Sequence, residues 1–562
     1  MTSKAVDSPA QVFAANLLAQ LVANGIDHIF LAPGARSQSL AIAAGQLADA
    51  GHVQLHVRLD ERSLAFQALG VGLATGFPAA VITTSGTAVA NLHPAVLEAH
   101  HAGIPMILLT ADRPSELRGV GANQTTNQLG IFADAVRSCT DVPTPSDSDS
   151  VQELAVRAES LAIEALTTAV EQSGPVQLNL GFREPLSSAS PNAGDVFNEV
   201  ADRQLEEEST RSIPIIDISG QANGCGPDCG HDHSAELAEA SSKDADTVID
   251  LSLKTIVVAG DGGFLARWYA TGLPLLAEPS SGVRHLPEYI PGYLWTLRED
   301  PILVGQVQQV LVFGKPTLSR QVQALIRQPG VRVFTEPGRH GVFNPAHNAR
   351  LLGDDVEFIG EPDPGWLKAW RESAKALMAT KPDSSTDDRM SRRKLVETVW
   401  NGAGKRNAIL LGASRLIREA DYWAPNKERI VFANRGLAGI DGTVATATGI
   451  ALTHPGSHTR VLLGDLTLLH DASSLAIDDH DSKVNIQLIV GNDNGGSIFE
   501  GLEVANNLPA NDFDRLFRTP QKVNLEFLAK AYGWDYVCVN NADDLRAEMK
   551  RNGRILIEVP LA

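Results

Sequence analysis

Cysteine, long apolar runs and positive charge are all scarce in this sequence of 562 residues. Four cysteines in so long a chain indicate a reducing cytoplasm. The segment MTSKAVDSPAQVF at the N-terminus has no apolar core of signal-peptide length, and no later run is long enough to span a membrane. A formal net charge of −20 argues against nucleic acid or an anionic membrane as a partner. We therefore expect a cytoplasmic protein whose partners are small molecules.

Two of the four cysteines belong to one short polar segment. Cys225 and Cys229 stand close to His231 and His233, and these residue types can bind a transition metal. The alternative is a flexible, polar surface loop, which we favour because no matching ligand pair stands nearby. A metal assay on the purified protein distinguishes the two interpretations.

A dinucleotide-binding glycine fingerprint and a short-period repeat are also missing. The glycine-rich turn at 259–263, Ala-Gly-Asp-Gly-Gly, lacks the G-x-G-x-x-G spacing that such sites need after a strand. A nucleotide-binding dehydrogenase is therefore disfavoured, and no flavin is expected.

Apolar runs that suit buried strands alternate with helical patterns along most of the chain. In the first part the strand-like runs are 26–31, 53–57, 79–83, 105–109 and 176–180. Helical patterns at 61–75 and 151–171 stand between them. This alternation is typical of a doubly wound parallel sheet.

The same alternation returns twice, from residue 255 and from residue 389. We therefore predict an α/β protein with three doubly wound parallel-sheet domains in series. Their predicted bounds are 1–190, 191–380 and 381–562. The polar, acidic stretch 187–250 is predicted to be a linker with loops.

Two acidic turns follow strand-like runs in the last domain. The run 461–463 leads into Gly464 and Asp465, and the run 484–490 leads into 492–496, Asn-Asp-Asn-Gly-Gly. The two runs suit neighbouring parallel strands joined by a helical crossover, and ligands bind just beyond the carboxyl ends of such strands. Carboxylate, amide and carbonyl oxygens there suit Mg²⁺ beside a phosphate. The alternative is that 492–496 is only a tight turn.

The two turns, at this spacing, resemble the diphosphate-binding motif of thiamine-diphosphate enzymes. The resemblance implies that Asp465, the Asp493 carboxylate and the Gly495 carbonyl hold Mg²⁺, with Mn²⁺ as the alternative metal, against the diphosphate of thiamine diphosphate. The family more often has Asn at the second ligand, so the charge of Asp493 is expected to tighten the metal site. The three domains would then be pyrimidine-binding, central and diphosphate-binding.

Glu61 opens a predicted helix, and the stretch 65–74 after it resembles the helix that follows the catalytic glutamate of this family. The resemblance implies that Glu61 hydrogen-bonds N1′ of the aminopyrimidine. This bond stabilises the imino tautomer, which removes the C2 proton of the thiazolium. Ile440 resembles the apolar residue that holds the cofactor bent, with a core isoleucine as the alternative. For Asp60 we expect only a charge at a helix N-terminus.

Several motifs are similar to those of the 2-succinyl-5-enolpyruvyl-6-hydroxy-3-cyclohexene-1-carboxylate synthases of menaquinone biosynthesis. They lie at 33–37, 84–92, 110–114, 121–124 and 434–442, and Ala35 replaces a serine that is usual there. The implied reaction decarboxylates 2-oxoglutarate and adds the succinyl-semialdehyde carbanion to isochorismate in 1,4 fashion. Both substrates are dianions, and arginine binds carboxylates through its planar fork.

The resemblance also implies which residues bind each substrate. Isochorismate would be held by Arg36, Arg113, Asn123 and Gln124, with Arg320 reaching it from the central domain. The distal carboxylate of 2-oxoglutarate would be held by Ser414, Arg418 and Arg435, and Ser414 and Arg418 share one face at a helix start. Ile498 and Phe499 would pack around the thiazolium and the substrate. The alternatives are surface charges or ion pairs for single arginines, loop-capping amides for Asn123 and Gln124, and a core role for Phe499.

The assembly implied by the resemblance is at least a homodimer, and we expect a homotetramer. In it, Glu61 of one subunit and Asp465 of another would serve one cofactor. Two alternatives stay open. One is a different thiamine enzyme, such as a 2-oxo-acid decarboxylase or acetohydroxyacid synthase, and the other is a non-enzymatic, ligand-responsive regulator.

Overall fold

The computed structural model describes residues 8–188, 190–208, 247–339, 341–353, 356–386, 389–477 and 484–562. These residues form three α/β units in series, each built on a parallel sheet, as the alternating pattern predicts. The segment that carries Cys225, Cys229, His231 and His233 lies outside the described residues, so the prediction made for it stays a prediction. No helix in the described ranges is both long and apolar enough to cross a membrane.

The first unit is a six-stranded sheet with the order β2-β1-β3-β4-β6-β5, and all its neighbouring strands run parallel. Its strands are β1 (His28–Leu31), β2 (Gln54–Val57), β3 (Ala80–Thr83), β4 (Met106–Asp112), β5 (Ser138–Val142) and β6 (Pro175–Gly181). Its helices are α1 (Pro9–Ala23), α2 (Gln38–Asp49), α3 (Glu61–Thr75), α4 (Thr87–Asn91), α5 (His93–Ala102), α6 (Val151–Glu171) and α7 (Ala193–Glu208). The central strands are fully buried because helices cover both faces.

Helix α7 corrects part of the sequence prediction, which gave 187–250 as linker and loops. The helix packs against α1 and α2 of the first unit. Val200 is buried there, and the rings of Phe197 and His52 stack with centroids 4.0 Å apart. Val196, Phe197 and Val200 form an apolar stripe on this helix, in a segment whose acidic composition suggested a loop.

The central unit has a five-stranded parallel sheet with the order β14-β11-β10-β8-β9, and two two-stranded sheets, β15-β7 and β12-β13. Its strands are β7 (Thr247–Asp250), β8 (Thr255–Ala259), β9 (Leu275–Ala277), β10 (Gln309–Phe313), β11 (Arg332–Thr335), β12 (Pro337–Gly338), β13 (Gly341–Val342), β14 (Ala349–Leu351) and β15 (Val356–Ile359). Its helices are α8 (Ala266–Tyr269), α9 (Tyr293–Glu299), α10 (Pro301–Val304), α11 (Arg320–Ile326) and α12 (Pro364–Ala379).

The third unit repeats the strand order of the first, because β17-β16-β18-β19-β21-β20 is the same arrangement with new numbers. Its strands are β16 (Ala408–Leu411), β17 (Ile430–Phe432), β18 (His458–Gly464), β19 (Asn485–Asn492), β20 (Asp535–Cys538) and β21 (Arg554–Pro560). Its helices are α13 (Arg392–Gly402), α14 (Arg415–Trp423), α15 (Thr443–Thr453), α16 (Asp465–His470), α17 (Val504–Asn507), α18 (Ala510–Phe513), α19 (Leu525–Ala531) and α20 (Ala542–Glu548).

Helices α3 and α15, which occupy equivalent places in the first and third units, pack directly against each other. Two glycines permit this close approach. A Cβ on Gly70 would lie 2.2 Å from the carbonyl oxygen of Thr446, and a Cβ on Gly449 would lie 2.0 Å from that of Gln67. One buried apolar cluster therefore continues from the first unit into the third.

Candidate active site

The two acidic turns of the third unit lie side by side. Strands β18 and β19 are parallel neighbours, as predicted, and Gly464 pairs with Gly491 at the end of the register. Asp465 then begins helix α16, and Asp493 follows the end of β19. The register thus brings the two carboxylates to the same edge of the sheet.

A cavity of about 130 Å³ opens at this edge, and the predicted cofactor residues of the third unit surround it. The predicted residues among its lining are Ser414, Ile440, Asp465, Asp493, Gly495, Ile498 and Phe499. Phe499 also makes an edge contact with Phe517, at a centroid distance of 5.8 Å. The cavity has both the oxygen donors and the apolar walls that the sequence predicts.

Asp465 is nearly buried, with 6% of its surface exposed. Burial, and then the neighbouring charge of Asp493, raise the pKa of the Asp465 carboxyl to about 6. The backbone N–H groups of Leu466 and Gly495 act in the opposite direction. The two carboxylates lie just beyond the carboxyl ends of the two strands and repel each other. A bound cation would offset this repulsion.

Asp493 has a cationic partner that the sequence reasoning missed. Its Oδ2 accepts hydrogen bonds from Nη2 of Arg392 at 2.8 Å and from Nε at 3.2 Å. The hydroxyl of Ser497 donates to the same oxygen over 2.5 Å. The sequence carries one signal for this partner. Arg392 directly follows the helix cap Ser391, a position at which the helix dipole disfavours a cation.

Gly495 has a backbone that only glycine adopts readily. Its φ is 130°, and a Cβ there would lie 2.4 Å from the carbonyl oxygen of Arg518. The N–H of Gly496 donates to that same carbonyl over 2.7 Å. The loop is therefore fixed in a shape that brings backbone groups to the cavity.

Ser414 and Arg418 lie together at the start of helix α14, as their spacing predicts. Nη1 of Arg418 donates to the backbone carbonyl of Ser414 over 2.6 Å. The Ser414 hydroxyl makes no capping hydrogen bond, although Ser414 is the N-cap residue, and its φ is 103°. Backbone strain at a polar residue that lines the cavity is typical of a binding site.

Arg435 is buried, with 3% of its surface exposed, and only part of its guanidinium is satisfied. Nη2 donates to the hydroxyl of Thr317 over 2.5 Å. Nε and Nη1 are buried and have no hydrogen-bond partner among the described residues. Burial, and then the charge of Arg435, lower the pKa of Arg418, so the two cations are close to each other. Unpaired donors beside a second cation favour a carboxylate ligand.

Two buried acids that the sequence reasoning missed lie behind this arginine pair. Glu278, from the central unit, accepts a hydrogen bond from the N–H of Leu318 over 2.8 Å. Asp421, on α14, accepts one from the hydroxyl of Tyr293 over 2.8 Å. Burial and mutual repulsion raise the pKa of Glu278 to about 8, and burial raises that of Asp421 to about 6. Glu278 and Asp421 are far apart in the sequence and belong to different units, so motif analysis does not detect the pair.

The loop that carries Arg435 is held by two further charged groups. The carboxylate of Glu98, on α5, accepts from the N–H groups of Gly436 and Leu437 over 2.6 and 2.7 Å. Nζ of Lys315, from the central unit, donates to the carbonyl of Gly436 over 2.6 Å. All three units therefore fix the position of this loop.

A second arginine cluster lies at the carboxyl ends of β1, β3 and β4 in the first unit. Nη1 of Arg113 donates to the hydroxyl of Ser85, and also to the carbonyl of Gln124 over 3.1 Å. Burial, and then Arg36, lower the pKa of Arg113, which places the two cations near each other. Arg36 donates to the carbonyl of Phe182 over 2.9 Å, and its buried Nε has no partner among the described residues.

The two predicted amides lie on the loop over this cluster. Gln124 has a φ of 57° and donates through Nε2 to the carbonyl of Ser85 over 2.9 Å. Asn123 is exposed next to it. Arg36, Arg113 and Gln124 therefore lie in one region with Asn123 beside them, and their role in substrate binding stays a prediction.

Arg320 is not brought into either cluster. Its side chain is 79% exposed and lies 3.7 Å from the carboxylate of Glu503, itself 80% exposed. Lys315 and Thr317 of the same loop reach the third unit instead. The role expected for Arg320 stays a prediction.

Glu61 is the first residue of α3, where the sequence predicts a helix start. Its Oε2 accepts a hydrogen bond from Nδ2 of Asn91 over 3.3 Å. Asp60 is the N-cap and accepts from the N–H groups of Arg62 and Ser63, so it does more than supply the charge at a helix N-terminus that the sequence predicts. Asp60 also accepts from the hydroxyl of Ser473 in the third unit over 2.6 Å. Glu61 does not belong to the lining of the cavity that contains Asp465 in the same chain.

Comparison with known proteins places this fold and site in a class. Residues 12–131 match the family model "Thiamine pyrophosphate enzyme, N-terminal TPP binding domain". Residues 415–559 match the model "Thiamine pyrophosphate enzyme, C-terminal TPP binding domain". The protein is thus of the thiamine pyrophosphate enzyme class, with the two matched regions in the first and third units.

Relatives that match over most of their length define the family more closely. A 2-succinyl-5-enolpyruvyl-6-hydroxy-3-cyclohexene-1-carboxylate synthase of Leifsonia xyli is 41% identical, over 99% of this chain and 97% of its own. Synthases of the same name from Clavibacter michiganensis and an Arthrobacter species are 40% and 39% identical, over 100% and 96% of this chain and 97% and 87% of their own. The chain belongs to the 2-succinyl-5-enolpyruvyl-6-hydroxy-3-cyclohexene-1-carboxylate synthase family.

Proposed function

We propose that this protein is a transferase that uses thiamine diphosphate and Mg²⁺ to join 2-oxoglutarate and isochorismate. Loss of CO₂ from 2-oxoglutarate and 1,4-addition to isochorismate give 2-succinyl-5-enolpyruvyl-6-hydroxy-3-cyclohexene-1-carboxylate, an intermediate of menaquinone biosynthesis. The observation that carries the proposal is that arginine nitrogens which are buried and have no hydrogen-bond partner among the described residues occur at two separate places, on Arg435 in the third unit and on Arg36 in the first. Two dianionic substrates need two such cationic sites.

The oxygen donors of the third unit suit the cofactor and its metal. Asp465, Asp493 and the carbonyl of Gly495 would hold Mg²⁺, and Mn²⁺ accepts the same hard donors. Within the described ranges no group of three or more His, Cys, Asp or Glu side chains could hold a metal. Backbone and diphosphate oxygens would therefore complete the coordination. Bound thiamine diphosphate supplies the carbon nucleophile that attacks the ketone of 2-oxoglutarate.

The arginine pair beside the cavity would bind the distal carboxylate of 2-oxoglutarate. Nε and Nη1 of Arg435 are donors without partners, and Arg418 adds a second positive charge. Ser414 lines the cavity and its hydroxyl is not used as a helix cap. These groups would place the ketone end of the substrate toward the cavity.

Isochorismate would bind at the first-unit cluster of Arg36, Arg113, Asn123 and Gln124. The buried, unpaired Nε of Arg36 supports this assignment. Arg320 is proposed only as an outer contact, since its position is exposed. The Ala35 substitution removes one hydrogen-bond donor from this region.

Glu61 would hold a proton at N1′ of the aminopyrimidine and so favour the imino tautomer, which accepts the C2 proton. Ile440 would hold the cofactor bent, and Ile498 and Phe499 would exclude water from the reacting carbon. All three apolar residues line the cavity, which supports these assignments.

We propose at least a homodimer, and a homotetramer as the complete assembly, in the cytoplasm. Glu61 does not line the cavity of its own chain, so a partner's Glu61 would complete each site. Large apolar side chains are exposed close to both halves of the proposed site, with Leu59 at 89% and Leu437 at 54% exposure. Burial of such side chains between subunits would remove an unfavourable contact with water.

The test is detection by mass spectrometry of the product formed from 2-oxoglutarate and isochorismate. The complete mixture, with Mg²⁺ and thiamine diphosphate, should give the adduct of the two carbon skeletons minus CO₂. Omission of either substrate, of the cofactor or of the metal should abolish it. A different thiamine enzyme, such as a 2-oxo-acid decarboxylase or acetohydroxyacid synthase, would release an aldehyde or use another 2-oxo acid without isochorismate. A purely regulatory protein would give no turnover.

A further inference from the structure

The Arg392–Asp493 pair lies at the edge of the cavity and is well shielded from water. The exposed fractions of the two side chains are 18% and 12%. Two guanidinium nitrogens contact the same carboxylate oxygen, and Ser497 binds that oxygen as well. In the described part of the chain, Oδ1 of Asp493 has no hydrogen-bond donor. One oxygen is thus occupied by the arginine, and the other is available to the cavity.

Arg392 occupies a position that is poor for a cation in a helix. It is the first residue of α13, whose N-cap Ser391 accepts from the N–H of Lys394. The exposed N–H groups of this first turn repel positive charge, so the placement costs free energy locally. A local conflict of this kind indicates that the side chain has a role outside its own helix.

The backbone also fixes Arg392 against the metal-site loop. The N–H of Ala562 donates to the carbonyl of Met390 over 3.0 Å, and the N–H of Leu561 donates to the carbonyl of Asn492 over 2.9 Å. The two segments are therefore tied to the same short stretch of chain. The contact between Arg392 and Asp493 does not depend on a freely moving surface side chain.

The charge balance of the site follows from these contacts. Asp465 and Asp493 together bring two negative charges to the cavity, and Arg392 cancels one of them. Arg518 approaches the loop as well, but Nη2 of this residue binds the backbone carbonyl of Asp493 over 3.2 Å. The expectation that the charge of Asp493 tightens the metal site stays a prediction, and the positive charge of Arg392 acts against it.

We propose that Arg392 is a charge-compensating positioning residue that keeps the metal affinity of the Asp465–Asp493 site low until a diphosphate supplies further negative charge. The inference rests on the proposed function, because it assumes a divalent cation at these two carboxylates. It makes metal binding depend on the cofactor, so that the protein binds the two together.

The test compares Mn²⁺ binding, by electron paramagnetic resonance, to the full-length wild type and three variants at pH 8 without cofactor. Arg392→Gln should bind Mn²⁺ on the order of tenfold more tightly, because an uncompensated carboxylate then faces the cation. Asp493→Asn should bind it at least tenfold more weakly, because a positive charge is then left unbalanced. The double variant Asp493→Asn/Arg392→Gln should bind Mn²⁺ with an affinity within about threefold of that of the wild type if the two charges offset each other.

Two matched variants separate charge from other effects. Arg392→Lys keeps the charge and should resemble the wild type. Arg393→Gln removes the next arginine, which pairs with Glu397 on the same helix, and should leave Mn²⁺ affinity unchanged. In calorimetry without metal, Arg392→Gln should lower the Tm and the double variant should recover it.

The outcomes distinguish this inference from the proposed function. Mn²⁺ that binds the wild type but binds Arg392→Gln equally or more weakly would overturn the charge compensation alone. A double variant no better than Asp493→Asn would overturn it as well. Mn²⁺ that fails to bind the wild type even with thiamine diphosphate would contradict the metal site itself and this inference with it.

Discussion

The hydroxyl oxygen of Thr317, in the central unit, accepts a hydrogen bond from Nη2 of Arg435, in the third unit, over 2.5 Å. The other two buried donor atoms of Arg435 have no partner among the described residues. Thr317→Val keeps the shape and removes the acceptor. The KM for 2-oxoglutarate should rise roughly tenfold with a smaller change in kcat, because one more buried charged donor is left unpaired and the guanidinium turns away. Steady-state kinetics with varied 2-oxoglutarate measure this.

The control for that experiment is Thr380→Val. Thr380 is exposed, and among the described residues its hydroxyl donates a hydrogen bond only to the carbonyl of Leu377, near the end of the same helix. Its kinetics should match the wild type. An unchanged KM for 2-oxoglutarate in Thr317→Val would show that the orientation of Arg435 does not depend on the central unit.

The sequence predicted the parts of the fold and site that are local. Helix bounds such as Glu61–Thr75 and the acidic turns at 465 and 493 followed from short patterns and strand ends. The partners that come from distant segments were missed, and Arg392, Thr317 and Glu278 are examples. Each is brought to the site by packing between elements or units, which a single sequence does not reveal.

Glu61→Gln tests the proposed proton relay at the aminopyrimidine. Gln keeps the size and the contact with Asn91 but cannot share a proton with N1′ in the same way. Thiamine diphosphate and Mg²⁺ should still bind, while hydrogen–deuterium exchange at C2 of the cofactor slows by at least about a hundredfold. Nuclear magnetic resonance after rapid quenching measures the exchange. Glu164→Gln, an exposed glutamate on α6, is the control, and normal exchange in Glu61→Gln would remove this residue from the mechanism.

Mixed subunits test whether one site uses two chains. Glu61→Gln and Asp465→Ala are each expected to be inactive as pure proteins. In a heterodimer, one of the two shared sites would receive both wild-type residues, so about half of the wild-type activity per heterodimer should return. Differently tagged subunits, co-expressed and purified through both tags, provide the sample. Verified heterodimers without activity would argue for a site within one chain.

Glu278 should make thermal stability depend on pH. Burial, and then Asp421, raise its pKa to about 8, whereas Arg435 lowers it. Asp261 also raises it, and the charge of Glu278 in turn acts on the pKa of Arg418 and of Tyr293. The folded protein keeps a proton here that an unfolded chain releases near its usual pKa of 4.5. Since the unfolded state binds fewer protons in this window, stability falls as the pH rises from about 4.5 to about 8.

Glu278→Gln should therefore flatten the fall of the Tm between pH 6 and pH 8, measured by scanning calorimetry. Glutamine keeps an oxygen for the N–H of Leu318 and carries no charge at any pH. Glu372→Gln is the control, because that carboxylate is exposed next to Lys368. If the Tm of Glu278→Gln falls with pH as steeply as that of the wild type, Glu278 does not carry a proton in the folded protein.

The crossing of α3 and α15 predicts that Gly449→Ala is destabilising. The new Cβ would lie 2.0 Å from the carbonyl oxygen of Gln67 and 3.0 Å from Cα of Gly70, so the two backbones must separate. Such overpacking costs on the order of 3 kcal/mol, which should lower the Tm by roughly 5 °C or more. Gly45→Ala, in α2, meets nothing within 4 Å and should hold or raise the Tm, since alanine favours a helix. Equal Tm values for the two variants would mean that the first and third units do not meet through this crossing. The buried apolar cluster that the two units share would then have to form through other contacts.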